Sequence, residues 1–117
     1  RSFDPLLRTS DAGRVVMVTS TVGHEPRAYW SAYAVSKAAL EMATRIYAEE
    51  TVTTNVKVNI LNPGATRTNM RARAFPGEDP ETVKDPASIT DDFVRLCEPA
   101  CTLHGEIVTA KETPAET

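Results

Sequence analysis

The sequence is short of glycine and cysteine, and it has no long apolar segment. Its five glycines stand at positions 13, 23, 64, 77 and 105 of 117 residues, too far apart for a glycine-rich phosphate-binding turn. Cys97 and Cys101 form no zinc-ligand spacing with a histidine or a second cysteine pair, so we expect no metal site and two free thiols, at least one partly buried. No run of eighteen apolar residues and no signal-peptide core occur, so no membrane segment is predicted.

Charge and length narrow the class of protein further. The net charge is −3, which gives no reason to expect binding to nucleic acid or to an anionic membrane surface. Hydrophobic residues at 41% and charged residues at 25% are typical of a soluble globular protein. A chain of 117 residues forms one domain or less. We therefore expect a cytoplasmic globular unit rather than a membrane protein.

Apolar segments of two kinds alternate along the chain. Short apolar runs bounded by turn residues predict strands, and three- to four-residue spacings predict helices. Strands are predicted over residues 15–19, 56–61 and 106–109, and helices over residues 31–50, 68–74 and 86–98. Residues 111–117 are polar and predict a disordered tail. Strand–helix–strand units of this size predict a doubly wound α/β fold with a parallel sheet, whose ligands bind beyond the carboxyl ends of the strands.

Tyr33 and Lys37 are the most informative pair of residues. Four residues apart on a helix, they project from one face. A phenol ionises near pH ~10, so acid–base work at pH 7 requires about 4 kcal/mol of help, which a cation at ~4 Å supplies at an effective dielectric of ~20. Such a pair can transfer the proton that carbonyl reduction requires. The alternative is a tyrosine packed in a core beside a lysine that extends to solvent.

Two further segments favour the functional interpretation. Ser20 follows the first strand, thirteen residues before Tyr33, and the second strand runs into Asn-Pro-Gly-Ala-Thr-Arg-Thr-Asn-Met at residues 62–70. With Tyr-x-x-x-Lys, this order and spacing resembles the short-chain dehydrogenase/reductase family. The resemblance implies a Rossmann-type fold, a nicotinamide cofactor (NAD or NADP) and Ser20, Tyr33 and Lys37 as catalytic residues.

The resemblance also implies individual roles. Tyr33 would donate the proton to a small carbonyl substrate, Lys37 would assist the phenol and bind the nicotinamide ribose, and Ser20 would hold the substrate oxygen. Pro63-Gly64 would let the backbone approach the nicotinamide, and Thr68 would bind its carboxamide. Simpler interpretations stay open for Ser20, as a hydroxyl capping a strand end, and for Thr68, as a helix N-cap.

The family's glycine-rich pyrophosphate turn and its Asn-Asn-Ala-Gly segment are absent from the sequence. Residues 1–7 lack an initial Met and are typical of the end of a helix. We therefore expect the carboxyl-terminal half of a Rossmann-type domain, inactive on its own, which as a complete enzyme forms a homo-oligomer. Small residues that permit helices to approach closely occur at Ala34, Ala38, Ala39 and Ala43. The alternative is a non-catalytic fragment or interaction module that keeps the fold.

Other candidate residues carry weaker signals. His24 follows Ser20 by four residues, but no Gly-x-Ser-x-Gly elbow surrounds the serine, so a hydrolase is not expected. His104 is interpreted as a loop or surface residue, and Tyr29 and Trp30 as packing, interface or substrate-side aromatics. Arginines 67, 71 and 73, beside acidic residues 78, 79 and 81, are interpreted as a solvated face, with contact between an anionic substrate group and Arg67 or Arg71 as the alternative.

Overall fold

The structure, a computed structural model, describes residues 1–110 as a parallel sheet between helices. The predicted tail, residues 111–117, lies outside the described residues. In chain order the elements are α1 (Asp4–Thr9), β1 (Arg14–Val18), α2 (Ser31–Glu50), β2 (Lys57–Asn62), α3 (Asn69–Ala74), α4 (Thr90–Cys97) and β3 (Ile107–Thr109). Short 3₁₀ turns occupy Thr21–Gly23, Pro80–Thr82 and Pro86–Ile89.

The sheet has the order β1–β2–β3, and both pairings are parallel. Val16 lies opposite Asn59, and Ile60 lies opposite Ile107. The alternation of strands and helices predicts this arrangement, because parallel neighbours need a crossover connection. The predicted α/β class with a parallel sheet is confirmed.

The core lies on both faces of β2, because successive side chains of a strand point to opposite faces. Val58 packs with Ala48 of α2 on one face, and Leu61 packs with Leu96 of α4 on the other. Val58, Ile60 and Leu61 are at most 1% exposed, and β2 pairs on both sides, so it is the central strand of the described sheet. Helices on both faces are the feature that defines a doubly wound fold.

The first strand is less buried than its apolar sequence predicts. It covers Arg14–Val18 rather than residues 15–19, and its last residues, Met17 and Val18, are 39% and 37% exposed. Within residues 1–110 the apolar run of β1 is therefore only partly buried. The reason is position, since β1 pairs with β2 on one side and is an edge strand of this sheet.

Most other element boundaries agree with the sequence to within a few residues. Helix α2 has the predicted limits, and the Thr51 hydroxyl ends it by donating to the Tyr47 carbonyl at 2.9 Å. The predicted helix 86–98 is divided, because a 3₁₀ turn capped by Asp85 precedes α4. Strands β2 and β3 begin one residue later than predicted. Within residues 1–110, no helix is both long enough and apolar enough to cross a membrane.

Candidate active site

A cavity of about 790 Å³ opens beyond the carboxyl ends of β1 and β2. Parallel α/β sheets bind ligands at this edge, because the loops that follow adjacent strands meet there. All six residues that the sequence nominates line this one cavity: Ser20, Tyr33, Lys37, Pro63, Gly64 and Thr68. The structure therefore brings together side chains that lie up to 48 positions apart in the sequence.

Helix α2 positions Tyr33 and Lys37 on the face that lines the cavity. The Lys37 Nζ lies 5.7 Å from the centre of the Tyr33 ring. It also donates a hydrogen bond of 3.1 Å to the backbone carbonyl of Val18, the last residue of β1. This bond ties the helix to the strand end beside Ser20. The lysine is therefore fixed next to the phenol and does not extend freely into solvent.

The backbone of Ser20 is extended at the point where β1 enters a 3₁₀ turn. Its carbonyl accepts a hydrogen bond of 2.9 Å from the Gly23 amide, and its hydroxyl makes no capping bond to that turn. For Thr68 the simpler interpretation holds, since its hydroxyl caps α3 by accepting from the Arg71 amide at 3.1 Å. A threonine in this position caps the helix and also faces the cavity.

The turn at Pro63-Gly64 is held by a side chain that the sequence reasoning missed. Asn62 accepts a bond from the Gly64 amide through Oδ1 and donates one to Thr21 through Nδ2, each at 3.1 Å. Gly64 has φ = +70°, a conformation that other residues rarely adopt, and a Cβ there would lie 3.2 Å from the Lys84 Nζ. Asn62 thus couples the two loops that carry Ser20 and Gly64.

A buried carboxylate lies one turn beyond Lys37 on α2. Glu41 accepts hydrogen bonds from the Thr19 hydroxyl and is 2.9 Å from His24 Nδ1. It is 7% exposed, and a Cβ on Gly23 would meet its Oε1 at 2.7 Å. His24 therefore pairs with Glu41. Glu41 anchors the loop that follows Ser20.

Aromatic side chains form the outer wall of the cavity. This aromatic wall consists of Tyr33, Trp30 and Phe75: Trp30 meets Tyr33 edge-on at 5.9 Å between ring centres and stacks on Phe75 at 5.7 Å. The Arg27 Cζ lies 5.4 Å from the Trp30 ring and 5.0 Å from the Phe75 ring. The segment after α3 is thereby joined to the loop before α2.

The interpretation of the basic residues as a solvated face is wrong for Arg71. Arg71 is one of the residues that line the cavity. Its Cζ lies 3.8 Å from the centre of the Phe75 ring, and its guanidinium donates two hydrogen bonds, of 2.9 and 2.8 Å, to Glu78. These bonds hold the pKa of Glu78 below its usual range. Arg67 lies outside the cavity and pairs with Asp85 and Glu81 at 3.3 and 3.6 Å.

Two further predictions concern the cysteines and His104. Cys97 is exposed and Cys101 is half-buried, and both thiols are free, as expected. His104 lies in the loop before β3, as expected, and is half-buried: Nδ1 accepts from the Val58 amide at 3.1 Å, and Nε2 lies 2.7 Å from the Ala48 carbonyl. This histidine links β2 to α2.

Over residues 1–110, no three His, Cys, Asp or Glu side chains gather in a way that could hold a metal ion.

The sequence of this chain matches one family of known proteins. The family model described as short chain dehydrogenase matches residues 1–79. The oxidoreductase YciK of Escherichia coli K12, itself uncharacterised, is 52% identical over 92 residues, which cover 79% of this chain and 36% of that protein.

Solved structures extend the similarity to the fold. A short chain dehydrogenase from Salmonella enterica serovar Typhi CT18 is 43% identical with a TM-score of 0.88, covering 93% of this chain and 45% of that one. A short chain dehydrogenase of Escherichia coli CFT073, solved in complex with NADPH, is 43% identical with a TM-score of 0.86, covering 92% and 45%. The chain thus spans less than half the length of these relatives.

Proposed function

Because this chain belongs to the short-chain dehydrogenase/reductase family, we propose that it supplies the catalytic half of an NAD(P)-dependent oxidoreductase that interconverts a carbonyl and an alcohol. The observation that carries the proposal is the convergence of Ser20, Tyr33 and Lys37 with the Pro63-Gly64 turn on one cavity. In this proposal the chain is the carboxyl-terminal part of one Rossmann-type domain, and the pyrophosphate-binding turn belongs to the rest of the protein.

The residues present fit a nicotinamide cofactor. At Gly64 the cavity wall has backbone and no side chain, so a nicotinamide ring can approach it closely. Thr68, which carries a hydroxyl, lines the same cavity. Lys37 has three donor hydrogens, and the bond to Val18 uses one of them, so donors are left for a ribose hydroxyl. When bound, NADH or NADPH supplies the hydride for the reaction.

Protons are handled by the side chains of this chain. As negative charge develops on the substrate oxygen, the Tyr33 hydroxyl donates its proton to that oxygen. The Lys37 ammonium stabilises the phenolate that remains, because it is held beside the ring by the Val18 carbonyl. The Ser20 hydroxyl, which caps no helix, is free to donate a hydrogen bond to the substrate oxygen and orient it. In the oxidative direction the Tyr33 phenolate accepts the proton of the alcohol.

The proposal also covers the oligomeric state of the complete protein and the compartment in which it acts. Helix α2 exposes apolar side chains, among them Val35 at 68% and Met42 at 54%, which a second subunit would cover. We expect a homo-oligomer on that ground. The free thiols of Cys97 and Cys101 suit a reducing compartment, and we place the reaction in the cytoplasm.

An assay of the full-length protein tests the proposal. NADH or NADPH is mixed with the protein and a panel of small aldehydes and ketones, and loss of the reduced cofactor is followed together with formation of the alcohol. Stoichiometric conversion of one cofactor per carbonyl is expected. Cofactor binding measured by calorimetry, with no oxidation for any carbonyl, would instead favour the alternative, a non-catalytic binding module.

A further inference from the structure

The described wall of the cavity carries positive charge and no carboxylate. Its ionisable side chains are Tyr33, Lys37, Arg27 and Arg71, and no Asp or Glu among residues 1–110 lines it. The chain as a whole has a net charge of −3, so this positive surface is local rather than a result of composition. A cavity lined by one sign of charge attracts ligands of the opposite sign.

Two of the three cations already have defined partners. Arg71 donates two hydrogen bonds to Glu78, which neutralises it. Lys37 lies at the catalytic end beside Tyr33 and donates to Val18. Arg27 differs, because no carboxylate of residues 1–110 lies within 4.0 Å of its guanidinium, and this exposed side chain lies against the rings of Trp30 and Phe75.

Contact with two rings prepares Arg27 to bind a ligand. Its Cζ lies 5.4 Å from the centre of Trp30 and 5.0 Å from the centre of Phe75. Arginine contacts aromatic faces through its plane, which leaves its edge donors available for a planar anion. The contact also limits the rotamers of a long side chain, and this lowers the entropy lost on binding.

We propose that the substrate of this oxidoreductase carries an anionic group, a carboxylate or a phosphate, and that Arg27 binds it at the aromatic wall while Tyr33 serves the carbonyl. One ring, Trp30, separates the guanidinium from Tyr33, so a single small molecule can reach both. Arg27 is thereby the residue that selects the substrate, a role distinct from the Arg67 or Arg71 contact considered from the sequence. This inference rests on the proposed function.

Three carbonyl probes that differ in charge test the inference in the full-length enzyme: 4-formylbenzoate, 4-formylphenyl phosphate and the neutral methyl 4-formylbenzoate. We expect kcat/KM for at least one anionic probe to exceed that for the ester by about 10-fold or more, the size of a charge-assisted hydrogen bond. In Arg27→Gln we expect that preference to be lost, so that kcat/KM for the anionic probes falls to the value for the ester in the same variant. Arg27→Lys keeps part of it, because the charge stays while the paired donors are lost.

The matched control is Arg73→Gln, which removes the same charge from an exposed position of α3 outside the cavity lining and should leave the preference intact. Calorimetric binding of each probe supplies a readout independent of turnover. Binding of an anionic probe that depends on Arg27, without turnover, supports the anion site and contradicts the proposed function. If kcat/KM is the same for the anionic probes and the ester, or falls equally for all probes in Arg27→Gln, the anion site is contradicted. The proposed function is not affected by either result. Comparison of 4-formylbenzoate with 4-formylphenyl phosphate shows whether the site binds a carboxylate or a phosphate.

Discussion

Lys37 and Val18 are joined by a hydrogen bond of 3.1 Å from the lysine Nζ to the backbone carbonyl that ends β1. The bond connects the helix that carries Tyr33 to the strand that leads into Ser20. It fixes the ammonium beside the phenol before any ligand binds, with Nζ 5.7 Å from the ring centre. A preorganised cation costs no reorganisation at the moment of proton transfer.

This relationship predicts different kinetic effects for two variants of the full-length enzyme. Lys37→Met removes both the charge beside the phenol and a donor toward the cofactor, so kcat should fall by about 10²-fold and the KM for NAD(P)H should rise. Ser20→Ala removes a contact to the substrate oxygen, so kcat should fall while the cofactor KM stays within about twofold. Steady-state kinetics with the cofactor varied separates the two. Equal cofactor KM values in both variants would contradict the role of Lys37.

Glu41 should contribute to stability through the loop after Ser20. Glu41→Ala leaves the buried Thr19 hydroxyl and His24 without their acceptor, which should lower the free energy of unfolding by about 1–3 kcal/mol. The control is Glu49→Ala, an exposed site on the same helix that should cost less than about 0.5 kcal/mol. Urea denaturation measures both. Equal losses for the two variants would show that the Glu41 contacts carry no net energy.

The helices and strands that carry the site were predictable from the sequence, because they depend on local patterns. Tyr33 and Lys37 share a helix face through their spacing alone, and the limits of α2 follow from its three- to four-residue periodicity. The alternative interpretation of Thr68 as a helix N-cap followed from its residue type and place. Parallel pairing of β1 with β2 followed from the length of the connection between them.

The outer wall could not be predicted in the same way, because contacts between distant residues create it. Trp30 and Phe75 stack although 45 positions separate them, and no local pattern pairs them. Arg71 was placed on a solvated face, since its neighbours are charged, but a ring and Glu78 cover it. The sequence likewise gives no sign that His104 bonds to the backbone of Val58 in β2 and of Ala48 in α2.

The Arg71–Glu78 pair predicts how the segment after α3 responds to acid. Bonds from Arg71 lower the pKa of Glu78, so the pair contributes fully above the ordinary carboxyl pKa of about 4.3 and is lost as pH falls through the lowered value. Hydrogen exchange of residues 69–78 should be slower in wild type than in Glu78→Gln above about pH 5, and the difference should vanish in more acidic solution. A difference that is constant from about pH 6 to pH 3 would show that the pair does not hold this segment.

The apolar surface of α2 predicts an interface. Met42 and Ile46, at 54% and 51% exposed, lie four residues apart on one side of the helix. Met42→Glu should shift the full-length protein toward monomer in sedimentation velocity, because a buried unpaired charge opposes association. Val52→Glu, at a site 62% exposed beyond the end of α2, serves as the control and should leave the assembly unchanged. Loss of assembly in both variants, or in neither, would contradict an interface on α2.

The proposed mechanism depends on proton donation by Tyr33, and this step is tested by the kcat of Tyr33→Phe in the full-length enzyme. The variant keeps the ring that packs against Trp30 and loses only the hydroxyl, so fold and cofactor affinity should be retained. Tyr29→Phe is the matched control, since the Tyr29 side chain is fully exposed and lies outside the cavity lining. We expect kcat for carbonyl reduction to fall by at least about 10²-fold in Tyr33→Phe and to stay within about twofold of wild type in Tyr29→Phe. A Tyr33→Phe enzyme that retains most of its turnover would contradict the mechanism.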